Sequence, residues 1–347
     1  MIVAEQWVQS LENFRIRIPH VRAQISVYLA AIGFACFPDA LGVEKVVVYS
    51  SAKNVLVRAV AERFEKETGI EVRLVLNERQ ATSKDLVDRL IAEKERAQAD
   101  VYWSCDLIGA VILKSEGLSV PYESPNAKTL PGLYSDPEHH WTGFPARARV
   151  IIYNKNLLID PEEVPTSIFD MMNPRFNGKA CIANPLFGTT SLHVAALFQV
   201  LGQDFAEAFF NSLNTNGVKM VSTNSEVRRR VVAGDFAFGI ADTEDFSIAS
   251  KEGEPVGVVF PDQQAFGTLV IPAALVLIPR GPNPKQGKRF IDFLLLSDIQ
   301  RLLGAIQGIQ SLDKIKPLEV DYGKLVSQSD ELSRGFLNPK TEVSVMK

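Results

Sequence analysis

The chain has 347 residues, 46% of them hydrophobic and 22% charged, with 37 Lys and Arg against 41 Asp and Glu for a formal net charge of −4. That size implies two domains, and that composition implies a chain able to bury large cores. No basic run, zinc-finger spacing or interleaving of aromatic and basic residues is present, which excludes nucleic acid as a partner.

The first 42 residues stand apart. Arg15, Arg17, His20 and Arg22 precede an apolar run at 25–37 that is too short to span a bilayer. A positive flank before such a run resembles a secretory signal, and Gly33-Phe34-Ala35-Cys36 is loosely similar to a lipoprotein cleavage site. Export, with or without a lipid anchor, is the expectation, and an ordinary amphipathic N-terminal helix is the alternative. The mature domain is expected to begin near Val43. The cysteines Cys36, Cys105 and Cys181 are odd in number and far apart, so they form neither a metal motif nor a disulfide framework. The four histidines His20, His139, His140 and His193 do not suggest a histidine-rich metal site.

From Lys45 the pattern alternates. Residues 45–49 (KVVVY) predict a strand, 55–68 a helix stopped by Gly69, 71–76 a strand, 83–97 an amphipathic helix and 100–103 a strand; another helix then ends at Gly117. Strands and helices joined by short loops predict a parallel α/β sheet. A looser Pro- and Asn-rich region at 121–140 follows.

The sequence WTGFPARARVIIYNK at 141–155 is the centre of the reading. Val150, Ile151 and Ile152 suit a strand covered on both faces. Arg147 and Arg149 alternate with alanines, so both guanidinium groups share one face as the chain enters a buried sheet. Arginines are rarely buried without a partner, so that face looks onto a cleft, a carboxylate or a ligand, or forms an internal ion pair.

A second α/β unit is predicted beyond it. Its strands fall at 179–183, 218–221, 236–240 and 256–260, and its helices at 193–201, 204–214, 226–233 and from 246. The apolar run 267–279, broken by Pro272, mirrors the arginine strand and is expected to carry the chain back to the first sheet. Helices at 284–295 and 298–305 close the fold, and residues past about 336 read as a loose tail. The expected organisation is an N-terminal extension at 1–42, one discontinuous lobe of 43–146 with 272–347, and a second lobe of 147–271.

Ligands of open parallel sheets bind outside the carboxyl ends of the strands. Polar residues gather at those points: Ser50, Ser51 and Asn54; Asn77 and Arg79; Ser104 and Asp106; Gly188, Thr189, Thr190 and Ser191; Asn224 within 222–225; Asp242, Thr243, Glu244 and Asp245. Helix capping explains any one of these alone, and their number argues for a polar ligand. Gly188 to Ser191 offers backbone N–H groups and hydroxyls that suit a phosphate, carboxylate or carbonate, although the Gly-rich run and Lys of a nucleotide loop are absent. The carboxylates of Asp242, Glu244 and Asp245 suit a cation, an amine or hydroxyl ligand, or the two arginines, and they are favourable at a helix start without any ligand.

Taken together, the strand with Ser-Ser, FEKETGIEV at 64–72, ADVYW at 99–103, WTGFPARARVIIYN, NPRFNGKACIANPLFGTTS and the strand before ADTED resemble ABC-transporter extracellular solute-binding proteins of family 1, in the ferric-iron-binding-like branch. The resemblance spans roughly 44–312. It implies a type II periplasmic-binding-protein-like fold, with two α/β lobes joined by crossover strands around a ligand cleft. It implies a periplasmic or extracytoplasmic monomer that hands its solute to an ABC permease in the inner membrane, without a catalytic cofactor. The implied solute is ferric iron, Fe3+, or an iron–anion complex, with a phosphorylated or other anionic organic solute as the alternative. Ferric binders of this group present adjacent tyrosines after the strand that here ends at Ile240; this chain has Asp242-Thr243-Glu244-Asp245-Phe246 instead. Tyr49, Tyr102 and Tyr153 lie at strand positions where core packing is expected. Ser51 and the GTTS segment match positions that hold an anion in the group. An enzyme using Cys105 beside Asp106, or His193 near the hydroxyls, is the reading from another class, and no nucleophile elbow or dinucleotide fingerprint supports it.

Overall fold

The computed structural model describes residues 43–76, 83–186, 188–307 and 312–336. The signal-like run 25–37, Cys36 and Arg79 lie outside them, as does the tail past 336.

The first sheet grows from β1 (Lys45–Ser50), α1 (Asn54–Thr68), β2 (Glu71–Leu76), α2 (Ser83–Ala92), β3 (Val101–Ser104) and α3 (Ile108–Ser115). In α1, Leu56, Val57, Val60, Ala61 and Phe64 recur at helical spacing and are buried. Gly69, at φ 72°, ends the helix in the left-handed conformation that a side chain resists, and its N–H bonds the carbonyl of Glu65. The helix α2 ends at Ala92, five residues short of the sequence expectation, and the chain turns before Asp100.

The chain then crosses to a second sheet along β4 (Ala146–Asn154). There follow β5 (Ala180–Ala183), α4 (Gly188–Leu201), α5 (Gln203–Thr215), β6 (Lys219–Val221), α6 (Asn224–Val232), β7 (Phe238–Asp242), α7 (Thr243–Lys251) and β8 (Val256–Val259). The apolar run 267–279 is two strands, β9 (Val270–Pro272) and β10 (Ala274–Leu277), followed by α8 (Pro284–Leu294), α9 (Ser297–Gln307) and α10 (Tyr322–Phe336). The last of these was not anticipated from the sequence.

Strand order is β10-β3-β1-β2 in one sheet and β6-β5-β7-β4-β8 in the other, with β9 beside β4. The β1–β2, β1–β3, β5–β6 and β5–β7 pairs are parallel as predicted, whereas β10 and β4 run antiparallel to their neighbours. Both antiparallel strands belong to the crossovers, which enter each sheet from the opposite end. The first three residues of β4 pair with β9, Arg147 opposite Ile271, and the remainder pairs with β7 and β8. The two crossovers therefore run side by side, and only Ala273 separates β9 in one sheet from β10 in the other.

Each sheet has its own apolar core. In the first, Val46, Val48, Leu56, Val60 and Phe64 pack with Phe290, Phe293 and Leu294 of α8. In the second, Ile151, Phe176, Leu197, Phe209, Phe210, Phe238 and Ile240 pack together. A further cluster lies between them, where Leu107 meets Leu192, Ala195 and Ala196 of α4 together with Leu269, Ile271, Leu318 and Leu325. This apolar floor sits below the strand ends where the polar residues collect.

Candidate functional site

The sequence placed two arginines on one face of β4, and both do face the start of α7. Arg149 is 0% exposed. Its Nη1 donates to Asp242 Oδ1 at 2.7 Å, Thr189 Oγ1 at 3.0 Å and Asn224 Oδ1 at 3.1 Å, and its Nη2 lies 3.4 Å from Thr190 Oγ1. The Thr189 hydroxyl donates to Asp242 Oδ2 at 2.9 Å and accepts from Asn224 Nδ2 at 2.9 Å. Strand β4, the first turn of α4, the first residue of α6 and the end of β7 thus converge on one buried ion pair. A guanidinium without water is tolerable only when ionised and polar partners surround it in this way.

Gly188, Thr189, Thr190 and Ser191 form the first turn of α4 rather than a loop before it. The Thr189 and Thr190 hydroxyls are engaged by Arg149, Asp242 and Asn224, and Ser191 Oγ donates back to the Gly188 carbonyl at 2.8 Å. His193, one turn on, is buried; burial and the neighbouring Arg149 charge lower its pKa to about 3, so it is neutral.

Arg147 is arranged differently. Its side chain is 15% exposed, and Nη2 donates at 3.0 Å to the carbonyl of Cys105, at the end of the other sheet. Nη1 lies 3.7 Å from Asp242 Oδ2 and 3.7 Å from Glu244 Oε2, ion-pair distances too long for a hydrogen bond. Burial works against its charge, but Cys105, Asp242, Glu244 and Asp106 more than compensate, and its pKa is raised. Glu244 also pairs with Lys53, which links the turn after β1 to α7 across the two sheets.

Asp242 caps α7 in a reciprocal box with Asp245. Burial, together with the charges of Asp242 and Glu244, raises the pKa of Asp245 to about 6. The Thr243 hydroxyl accepts from the Ala148 N–H at 3.3 Å, fastening α7 to β4. On the first sheet, the buried Ser104 donates to the Asp106 carbonyl, and Asp106 Oδ1 accepts from the Ile108 N–H at 2.9 Å to cap α3. Asn54 is exposed at the start of α1. The Ser51 hydroxyl and the Tyr102 hydroxyl are shielded from water, and neither has a hydrogen bond of normal geometry.

The structure therefore brings Ser104, Asp106, Arg147, Arg149, Thr189, Thr190, Asn224, Asp242, Thr243, Glu244 and Asp245 to the facing strand ends of the two sheets. Sequence reasoning passed over Lys53 and the Cys105 carbonyl. A lysine in a turn has no periodicity to mark it, and a backbone oxygen has no residue signature at all.

Chemically the site can hold charge and does little else. Burial and Asp106 push the Cys105 thiol up to about 11, which favours the thiol over the thiolate, and His193 is neutral and enclosed. Tyr49 is buried and donates to Glu93 at 2.9 Å, with its pKa pushed up to about 12 by burial and by Glu93. Tyr102 is fully buried and its pKa is likewise raised, by burial and then Asp106, so it remains a neutral phenol. Among the described residues, no group of three or more His, Cys, Asp and Glu side chains is placed to hold a metal ion.

The sequence profile of the bacterial extracellular solute-binding proteins matches residues 45–305. The chain belongs to this family. Family membership places this solute-binding protein outside the cytoplasm, implies a cognate ABC permease, and agrees with a site that binds rather than transforms. Iron uptake protein A1 of Synechocystis sp. is 27% identical over 75% of this chain and 73% of its own length. The Fe(3+)-binding periplasmic protein of Serratia marcescens is 27% identical over 74% of this chain and 75% of its own. In fold, the solute-binding protein matches Trichodesmium IdiA (FutA), solved in complex with iron and citrate ligands, with a TM-score of 0.75 at 21% identity, covering 86% of this chain and 100% of that one. Two lobes with crossover strands, a type II periplasmic-binding-protein-like fold, are thereby established. No helix among the described residues is long and apolar enough to cross a membrane.

Proposed function

We propose that this protein is the extracytoplasmic binding component of an ABC importer and that its solute is ferric iron, carried as a complex with an anion. The lobes in this reading are 43–146 with 272–347 and 147–271, closing as a clamp around the cleft. The observation that carries it is Arg147, whose Nη1 reaches two carboxylates at 3.7 Å without a hydrogen bond to either, between two lobes that offer no tyrosinate. Arg147 and Asp106 are the side chains we assign to the solute, with Glu244 beside Arg147 at 3.7 Å. Asp242, held by Arg149, positions them together with Thr189, Thr190 and Asn224.

A bare ferric ion requires several hard anionic donors at one point, as a tyrosinate pair provides. Here the described side chains supply too few, so the anion must complete the coordination while Arg147 holds the anion through charge-assisted hydrogen bonds. The relatives named for iron support the cargo, and the likeness to an iron- and citrate-bound fold supports the complexed form.

Native mass spectrometry with metal analysis of freshly purified full-length protein tests this. Iron retained together with a stoichiometric anion, without the intense visible band of an iron–tyrosinate, is the expected result. An organic phosphate retained without iron would transfer the protein to the anionic-solute reading, since the same guanidinium would serve a phosphate. Bare iron with a tyrosinate band would overturn the donor assignment.

A further inference from the structure

We propose that the Glu244 carboxylate is a built-in stand-in for the anionic group of the cargo, and that Lys53 is the cation on the opposite lobe that exchanges Glu244 for that group on loading. This rests on the reading that the cleft takes an anion-bearing solute.

The charges at the strand ends can be followed one by one. Arg149 and Asp242 are matched at 2.7 Å and enclosed, so they contribute little outward charge. Asp106 accepts from the Ile108 N–H, and its carboxylate charge also acts on Arg147. Glu244 touches Lys53 and stands 3.7 Å from Arg147, so this one carboxylate is shared between a cation from the turn after β1 and a cation from β4.

Lys53 is free for such a task. It occupies the N-cap of α1 but makes no side-chain capping bond, and its backbone carbonyl alone accepts from Leu56 and Val57. Its side chain is 63% exposed. Lysine is a poor N-cap, and α1 has no acidic residue in its first turn, so nothing on this helix neutralises either the ammonium or the positive end of the dipole.

Glu244 has somewhere to go. It lies in the first turn of α7, where a carboxylate is favoured by the helix dipole whether or not it has a cation. Its side chain is 16% exposed, so it already borders water. With the Lys53 side chain largely in water, the pair is screened and weakly held. A cargo with two or more negative charges, able to meet Lys53 and Arg147 together, gains more than this pair loses, whereas a simple monoanion gains about as much as it displaces. The stand-in would therefore select for multiply charged anions and hold the lobes together until one arrives.

Two variants of the full-length protein separate the possibilities: Glu244→Gln and Lys53→Gln. Neither side chain lies in an apolar core, and the double replacement Lys53→Gln with Glu244→Gln tests whether the two act as a pair. Calorimetry uses ferric citrate, citrate and inorganic phosphate as probes. Glu244→Gln is expected to bind ferric citrate about five- to tenfold more tightly than wild type, and Lys53→Gln about tenfold more weakly. Equal or weaker binding by Glu244→Gln would overturn the proposal, because Glu244 would then be a ligand or irrelevant.

Small-angle scattering of the cargo-free proteins gives a second reading that needs no cargo. Each single variant should have a larger radius of gyration than wild type, and the double replacement Lys53→Gln with Glu244→Gln should be no larger than either single. Unchanged radii would overturn the stand-in. If wild type binds none of the three probes, the cargo reading of the cleft fails, and the scattering alone decides the Lys53–Glu244 link.

Discussion

Arg149 and Asp242 stand directly opposite each other across the β4–β7 pair and meet at 2.7 Å, both buried. Removing one partner strands the other in a low-dielectric interior. Arg149→Met or Asp242→Leu should each destabilise the protein by about 3–5 kcal/mol, and the double replacement by clearly less than the sum. Urea unfolding of the two singles and the double measures the coupling directly.

Asp245 and His193 should leave opposite marks on the pH dependence of stability. Asp245 has a raised folded pKa, about 6 against an ordinary 3.8, so its contribution is fully present below pH 4 and lost as pH rises through 6. His193 has a depressed pKa, about 3 against 6.5, so its contribution is present above pH 6.5 and lost as pH falls. Between pH 4 and 6 the folded state holds the proton on Asp245 and the unfolded state holds it on His193, and the two slopes cancel. Relative to wild type, Asp245→Asn should lose stability on acidification across that window by about 1.4 kcal/mol per pH unit. His193→Gln should gain by a similar slope. Chemical denaturation at pH 4, 5, 6 and 7 reads both, and a parallel wild-type and variant profile would refute the assignment.

The alternation of β1, α1, β2 and β3 was legible because each element announces itself locally: apolar β-branched runs, a 3.6-residue stripe in α1, and Gly69 at its end. The crossover role of 267–279 was also legible, since two apolar runs of similar character must lead to similar surroundings. What Arg147 and Arg149 do was not. Period 2 puts them on one face, but only the pairing of β4 with β7 brings Asp242 opposite Arg149 and leaves Arg147 at the edge, opposite Ile271 of β9. Likewise the hydroxyls of Thr189 and Thr190 look like an anion cradle in sequence, because nothing local reveals that a guanidinium from forty residues earlier already occupies them. The helix α10 was missed for a related reason: its apolar face is defined by α4 and α3, which are remote in sequence.

Gly143 sits where the two crossovers touch. A Cβ there would fall 1.5 Å from the backbone carbonyl of Ala273, the single residue between β9 and β10. Backbone cannot rotate aside as a side chain can, so Gly143→Ala should cost about 3 kcal/mol or more. Thermal unfolding measures the loss, and an unchanged midpoint would mean that the crossovers separate easily.

Leu107 is fully buried between elements of both sheets, against Leu192, Ile271 and Leu325. Leu107→Ala should destabilise by about 2–5 kcal/mol through the cavity it leaves. Because the residue bridges the lobes, the variant should also show earlier hydrogen exchange in α4 than in β1. Uniform exchange would place Leu107 in one lobe's core only.

Phe64 in α1 packs edge-on against Phe290 and Phe293 at 5.0 and 5.2 Å between ring centroids. These partners arrive only after the whole six-stranded sheet has been threaded. The face of α1 that carries Phe64 is therefore covered by α8, which lies beyond the whole second sheet in sequence. The sheet that begins the chain is completed by a helix from near its end.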